Sequence, residues 1–105
     1  FPFSISNKER KKLKYINISD RLFSAYYRFE VLDKPGVLSN ITSVFSKNKV
    51  SIKRLIQDPN KSKKFSSIVI ITHNSKDKSL NKVLKSVGNK KYVKKKPRFI
   101  RIGTN

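Results

Sequence analysis

The 105-residue sequence has no cysteine, no methionine, one histidine and three glycines. Without thiols there is neither a disulfide framework nor thiolate ligation of zinc, and a single histidine leaves little for zinc or Ser-His-Asp chemistry. No catalytic residue and no metal site is therefore expected in this piece. No G-x-G-x-x-G turn occurs, which excludes a Rossmann dinucleotide site here. No apolar run approaches the ~20 residues that a membrane helix needs, and no segment joins a basic start, an apolar stretch and a small-residue cleavage site. Neither membrane insertion nor secretion is expected, and the expected location is cytoplasmic. Methionine is missing even from the first position, Phe1, which suggests a chain cut from a longer polypeptide.

What the sequence has in excess is positive charge, a formal +20 from 26 Lys and Arg against six acids. Such a charge first suggests a phosphate-rich partner. The cations are mostly lysine, however, spread through every segment and accompanied by abundant Asn, Ile and Ser with a single Ala, the residues of AT-rich codons. Biased composition with lysines on solvated faces is the preferred reading, and a nucleic-acid partner is not expected. The runs "KERKKLK" and "KKYVKKK" are where such a partner would bind if that reading failed. The length fits one domain, and 36% hydrophobic residues with seven Phe and four Tyr supply a modest core.

Residues 1–24 show no sustained period of two or 3.6 and read as a connecting arm, which leaves 25–103 as the domain. Isolated apolar residues in the arm, such as Phe1 and Phe3, suggest that it lies against something. From Tyr26 onward, Tyr27, Phe29 and Val31 alternate with Arg28 and Glu30 as in a half-buried strand. Val37, Leu38, Ile41, Val44, Phe45 and Asn48 then share one face of a helix. Pro35 suits its first turn, and Asp33 is placed to accept from the free amides beyond. "VSIKRLIQD" predicts a second strand, "PNKSKK" a turn, and "SSIVIITH" a third strand. That third strand is apolar on both faces, so it belongs at the centre of a sheet and covered twice. Ser75 is expected to cap a second helix carrying Leu80, Val83, Leu84 and Val87, and Gly88 to stop it. "YVKKKPRFIRI" closes the chain as an edge strand.

This order predicts an α+β fold, a ferredoxin-like βαββαβ sandwich whose four-stranded antiparallel sheet carries both helices on one face. The bare face, or a sheet edge, is expected to meet another subunit or domain. Tyr26 and Tyr27 read as one core and one interface residue, and His73 as a strand-end packing or hydrogen-bonding residue rather than a ligand or base.

The stretch "DKPGVL", Asp33 to Leu38, places an acid, a proline and a glycine just before a helix. Helix N-termini gather unpaired amides and partial positive charge, so the amides of Gly36, Val37 and Leu38 could receive a carboxylate. Asp33 beside them could hold an ammonium group, and Gly36 would let a ligand approach the backbone. Together they would suit the zwitterionic end of a free amino acid. The simpler alternative is a helix cap that binds nothing.

"YYRFEVLDKPGVLSNITSVFSKNKVSIKRLIQ" resembles the opening half of an ACT domain, a small-molecule sensor often appended to amino-acid enzymes. The hallmark of that family is a turn of an acid or Asn, a basic residue, Pro, Gly and an aliphatic pair. More narrowly, "AYYRFEVLDKPGVL", "VSIKRLIQ", "IVIITH" and "PRFIRI" resemble the carboxy-terminal ACT domain of bacterial homoserine dehydrogenases, and "FPFSIS" resembles the passage into it. The resemblance implies a parent oxidoreductase that reduces aspartate semialdehyde to homoserine on the route to threonine and methionine. Its NAD(P) cofactor would sit in a missing amino-terminal part. For these residues it implies feedback sensing of an amino-acid effector, usually threonine, by a homodimer of ACT domains. The ligand would lie between the start of the first helix and a neighbouring second strand. Carried over by position, Asp33, Gly36, Val37 and Leu38 form the turn side, Ser51 stands where many ACT domains have Asn, and Gln57 is the polar reader at the strand's end. Ser51 has a shorter reach than Asn, which bears on ligand identity. In some members of the family the domain serves mainly assembly.

Two rival readings differ in kind. The same strand order hosts RNA-recognition motifs, but "KKFSSIVI" puts only Phe65 in an aromatic slot and lacks the glycines such a surface needs. "PGVLSNITSVFSKNKVSI" also resembles the terminal sensor of guanosine tetraphosphate synthetases, whereas "LIQ", "ITH" and "PRFIRI" favour the dehydrogenase.

Overall fold

The computed structural model describes residues 21–59 and 64–103. The arm up to residue 20, with its basic run, and most of the "PNKSKK" turn lie outside the described residues. The elements are β1 (Leu22–Leu32), α1 (Val37–Lys47), β2 (Ile52–Pro59), β3 (Phe65–Thr72), β4 (Ser75–Lys76), α2 (Asp77–Gly88) and β5 (Arg98–Gly103). The sheet runs β2-β3-β1, with β5 on the outer side of β1 and the two-residue β4 paired to the start of β1. Every pairing is antiparallel. This is the predicted split βαββαβ arrangement with one short extra strand, and β3 is central as its apolar run requires. Among the described residues no helix is long and apolar enough to cross a membrane.

Period-two burial explains β1. Ala25, Tyr27, Phe29 and Val31 are fully buried, while the residues between them are only half-buried. Ile68 and Ile70 of β3 lie in the same core, and Val37, Ile41, Val44 and Phe45 of α1 and Leu80, Val83 and Val87 of α2 close it from above. Each such side chain contributes about 1.5–3 kcal/mol through its burial. Tyr27 shows that both helices cover one face. Its ring meets Phe45 edge-on with centroids 5.0 Å apart, and its hydroxyl donates to the Leu80 carbonyl at 2.7 Å. Burial, seconded by the charge of Asp77, pushes this phenol well above its ordinary range.

Several boundaries differ from the sequence expectation. β1 begins at Leu22 rather than near Tyr26, because Phe23 already packs on the core and Leu22 and Phe23 pair with β4. Ser75 does not cap α2; it pairs with Phe23, donates to the His73 carbonyl at 3.2 Å, and leaves Lys76 at the cap position. Gly88 is the last residue of α2 rather than its stop, and Asn89 caps it with φ −92°. A side chain at Gly88 would approach the Pro97 ring at 3.5 Å. Of "YVKKKPRFIRI" only the end is strand, since Pro97 precedes β5 and Val93 makes a single bridge to Val31. Tyr27 is core and Tyr26 lies on the opposite, helix-free face, where it faces Ile71 and Ile100 in register. No second layer covers β3 on that face among the described residues, where Val69 and Ile71 are half-buried.

Candidate functional site

The stretch that links β1 to α1 is a tight turn. The amide of Val37 donates to the Lys34 carbonyl at 3.3 Å, across Pro35 and Gly36, and Gly36 has φ 89° and ψ −17°. Proline second and a positive-φ glycine third are the requirements of a type II turn. Helical hydrogen bonding starts beyond it, with the Asn40 amide donating to the Gly36 carbonyl at 2.9 Å. Pro35 therefore precedes α1 instead of opening it. Asp33 does not cap the helix: Gly36 holds the cap position, no side chain bonds to the first-turn amides, and no acid lies in that turn. The intervening turn carries Asp33 out to solvent, where its own amide donates to the Lys64 carbonyl at 3.0 Å.

The amides that remain for a ligand are thus not the predicted set. Val37 spends its amide on the turn, and its side chain belongs to the core, while Leu38 packs partly against that core. The amides of Leu38 and Ser39 have no acceptor one turn back, as at any helix start. The turn just before them lines a cavity of about 470 Å³, whose walls are Leu32, Lys34, Pro35, Gly36, Val37, Asn40, Lys91 and Tyr92 and include neither Leu38 nor Ser39. Asp33 is not part of this lining, and the charged groups that are part of it are both lysines. The arrangement offers an anion two lysines and offers an ammonium group no carboxylate.

One wall of this cavity is supplied by the segment between α2 and β5. The Leu32 amide donates to the Tyr92 carbonyl at 2.9 Å and the Lys94 amide to the Glu30 carbonyl at 2.8 Å, which zips the segment along β1. The Tyr92 hydroxyl then donates to Asn40 Oδ1 at 2.6 Å, joining the wall to α1, and burial raises its pKa. Sequence reasoning missed Asn40, Lys91 and Tyr92. The only available signal was an aromatic in the middle of the "KKYVKKK" run, since a solvated charge run has no use for a tyrosine.

Ser51 and Gln57 are not brought to this cavity. Ser51 lies beyond the far end of α1, about 16 Å along an eleven-residue helix, where it lines a second cavity of about 420 Å³ with Thr42, Ser46 and Lys49 among others. Its carbonyl accepts from the His73 amide at 2.9 Å, a backbone contact, while the His73 side chain is exposed rather than packed. Gln57 is exposed on β2, in the row of Ile68 and Phe29. Within one chain, then, the turn residues stay together while Ser51, just before β2, and Gln57, on it, stand apart from them and from each other. Among the described residues no group of three or more His, Cys, Asp or Glu could hold a metal ion.

Two helices on one face of an antiparallel sheet, with a glycine turn opening a cavity at the first helix, define a small α+β domain of the ferredoxin-like class. Residues 28–95 match the family model described as the AHAS small subunit-like ACT domain. The chain belongs to the ACT domain family. It is 31% identical over 88 residues to the homoserine dehydrogenase of Bacillus subtilis (strain 168), a match covering 83% of this chain and 20% of that enzyme. Its fold is similar to a homoserine dehydrogenase from Thiobacillus denitrificans, with TM-score 0.73 and 24% identity over 85% of this chain and 19% of that one. It is also similar in fold to the ACT domain of the GTP pyrophosphokinase of Chlorobium tepidum, with TM-score 0.62 and 19% identity over 75% of this chain and 99% of that one. The chain thus spans about a fifth of the length of the homoserine dehydrogenases it matches. NAD(P) belongs to the catalytic domain of such enzymes and not to this piece, which has no dinucleotide turn.

Proposed function

We propose that this chain is the regulatory ACT domain of a cytoplasmic homoserine dehydrogenase, which interconverts aspartate semialdehyde and homoserine with NAD(P)H in a part outside these residues. The domain senses a small amino acid, with threonine the first candidate, and acts as a homodimer. One observation carries the reading: a positive-φ glycine turn, followed by a helix start with no side-chain cap and no acid, lines an open cavity whose charged groups are two lysines. An α-carboxylate is the part of an amino acid that such a site would take. The distance between the turn and Ser51 supports pairing, because a ligand held by both must draw them from two protomers. The likeness to the Bacillus enzyme favours this parent over a guanosine tetraphosphate synthetase, for which the likeness extends to fold alone.

Calorimetric titration of the chain with threonine tests the reading, with aspartate and methionine as comparators. Saturable heat that Gly36→Val abolishes is the expected result, because the substitution rotates the turn away from its positive φ. Heat that survives Gly36→Val would move the site elsewhere. A dimer that shows no heat with any amino acid would leave the domain with assembly alone.

A further inference from the structure

The helix-free face of the sheet is graded along its length. At the end where β1 begins stand Leu22, on the side opposite the core-packed Phe23, and Ile102, at the β5 irregularity beside Ser24. Tyr26 comes next, between Ile71 and Ile100, and then Arg28 between Val69 and Arg98, with Ile56 beyond Val69. The far row is Glu30, Ser67 and Asp58. Leu22, Ile56, Ile100 and Ile102 are the exposed large apolar side chains among the described residues, and all but Ile56 lie toward the start of β1. The acids of the face lie at its opposite end. There Glu30 accepts from Ser67 at 2.6 Å and from Arg28 at 3.0 Å, and Asp58 is open to solvent. No lysine falls in these rows, although the chain carries a formal +20.

We infer that the chain's own arm, residues 1–20, covers this face. The arm lies outside the described residues, and two arguments select it as the occupant. The first is tethering. The arm joins the sheet through Arg21, next to the exposed Leu22 and at the Ile102 end of the face. A segment attached at the edge of an apolar patch meets it at a high effective concentration, which a separate partner must match by affinity. The second is the order of side chains. Read back from Arg21, the arm has Asp20 and Ser19, which are turn-forming types, then Ile18 and Ile16 with Asn17 between them, and then the basic run from Lys14 to Lys8. The face has the matching order, apolar at the junction and acidic at the far end. Glu30 stands eight residues along β1 from Leu22, about 26 Å in an extended strand. An extended arm folded back at Ser19 and Asp20 sets Ile18 and Ile16 over the isoleucine rows. Eight residues on from Ile18 it brings Arg10 and Lys11 to Glu30 and Asp58, cations against the acids of the face. This cover leaves the helix layer, with the α1 turn and Ser51, open, so the inference stands apart from the effector site proposed above.

A spin label on the face tests the assignment in the whole chain. The chain has no cysteine, so Ile100→Cys supplies a single attachment point for a nitroxide, and amide NMR reads which residues come near it. Dispersed signals from residues 25–103 verify that each variant folds. The amides of Ile16, Asn17 and Ile18 are expected to be broadened beyond detection and to return when the nitroxide is reduced. Adding Ile16→Asp and Ile18→Asp to the labelled chain should restore the Asn17 signal, because an unpaired carboxylate is expelled from an apolar contact. A mixture of labelled chain with unlabelled, nitrogen-15-enriched chain separates the two sources of an arm, and its arm signals should stay at full strength. Loss of those signals in the mixture would put another copy's arm on the face and overturn the proposal. Arm signals untouched by the label in the labelled chain itself would leave the face to a partner outside these residues, which overturns it as well. Broadening that survives both aspartates would overturn the role given to the isoleucines.

Discussion

The two helices lie side by side on one sheet, yet their N-termini are treated in opposite ways. The start of α2 is filled. Asp77 stands in its first turn, buried, with Arg101 Nε and Nη2 on its two carboxylate oxygens at 2.5 and 3.1 Å and Asn81 Nδ2 at 3.1 Å. Its amide donates to the Arg21 carbonyl at 3.0 Å, and Arg101 lies over the rings of Phe23 and Phe99. Neither helix has a side-chain cap hydrogen bond, but the start of α1 has a glycine, no acid and an open cavity beside it. Both ends have the same partial positive charge, worth about 0.3–1 kcal/mol to a suitably placed anion. At α2 the protein supplies that anion itself. At α1 no side chain supplies one, and this contrast is the reason to test for an effector there.

Breaking the filled end should have the largest effect. Arg101→Ala leaves the Asp77 carboxylate buried with Asn81 and the helix dipole as its remaining partners. A cost of about 2–3 kcal/mol is expected, below that of a fully buried pair because Arg101 is itself partly in water. Urea unfolding would read it as a lowered midpoint with an unchanged slope, and ligand heat at α1 should persist. A cost under about half a kcal/mol would mean that α2 is not held by this pair. The open end should be less sensitive. Gly36→Val is expected to cost roughly 1–2 kcal/mol through its left-handed backbone alone, since an added Cβ meets nothing within 4 Å. Gly36→Asn, a residue that tolerates this region, should recover most of that stability. If Val and Asn destabilised equally, crowding rather than backbone conformation would be the cause.

The contrast between the two ends is only half legible in the sequence. The alternation of Tyr27, Phe29 and Val31 and the helical spacing of Val37, Ile41, Val44 and Phe45 encode burial directly, so the architecture follows from them. Phe23 and Ala25 continue the same alternation, but Leu22 and Arg21 blur it, and the start of β1 is lost with them. Caps fail for a different reason. Asp33 and Ser75 are residue types that favour helix starts, but whether they serve depends on a turn's φ values and on a strand partner such as Phe23, neither of which is local. Asp77 carries no local signal either, since its role depends on Arg101, 24 residues away. The wall of the cavity is hidden likewise, because Tyr92 reaches Asn40 across 52 residues.

The smallest effect sharpens the comparison most. Ser39 is exposed and stands third in α1, with a free amide. Ser39→Asp would give α1 the acid that α2 already has. If the open end is simply an uncapped helix, the substitution should stabilise the fold by about 0.3–1 kcal/mol, since a carboxylate there complements the dipole. The same carboxylate would stand over the amides offered to an incoming anion and would repel it. Higher thermal stability together with loss of ligand heat is therefore the expected pair of results. The two must move in opposite directions, because one electrostatic position cannot serve the protein's own carboxylate and a ligand's at once. Stabilisation with undiminished ligand heat would place the effector away from α1 and leave the turn a structural feature only.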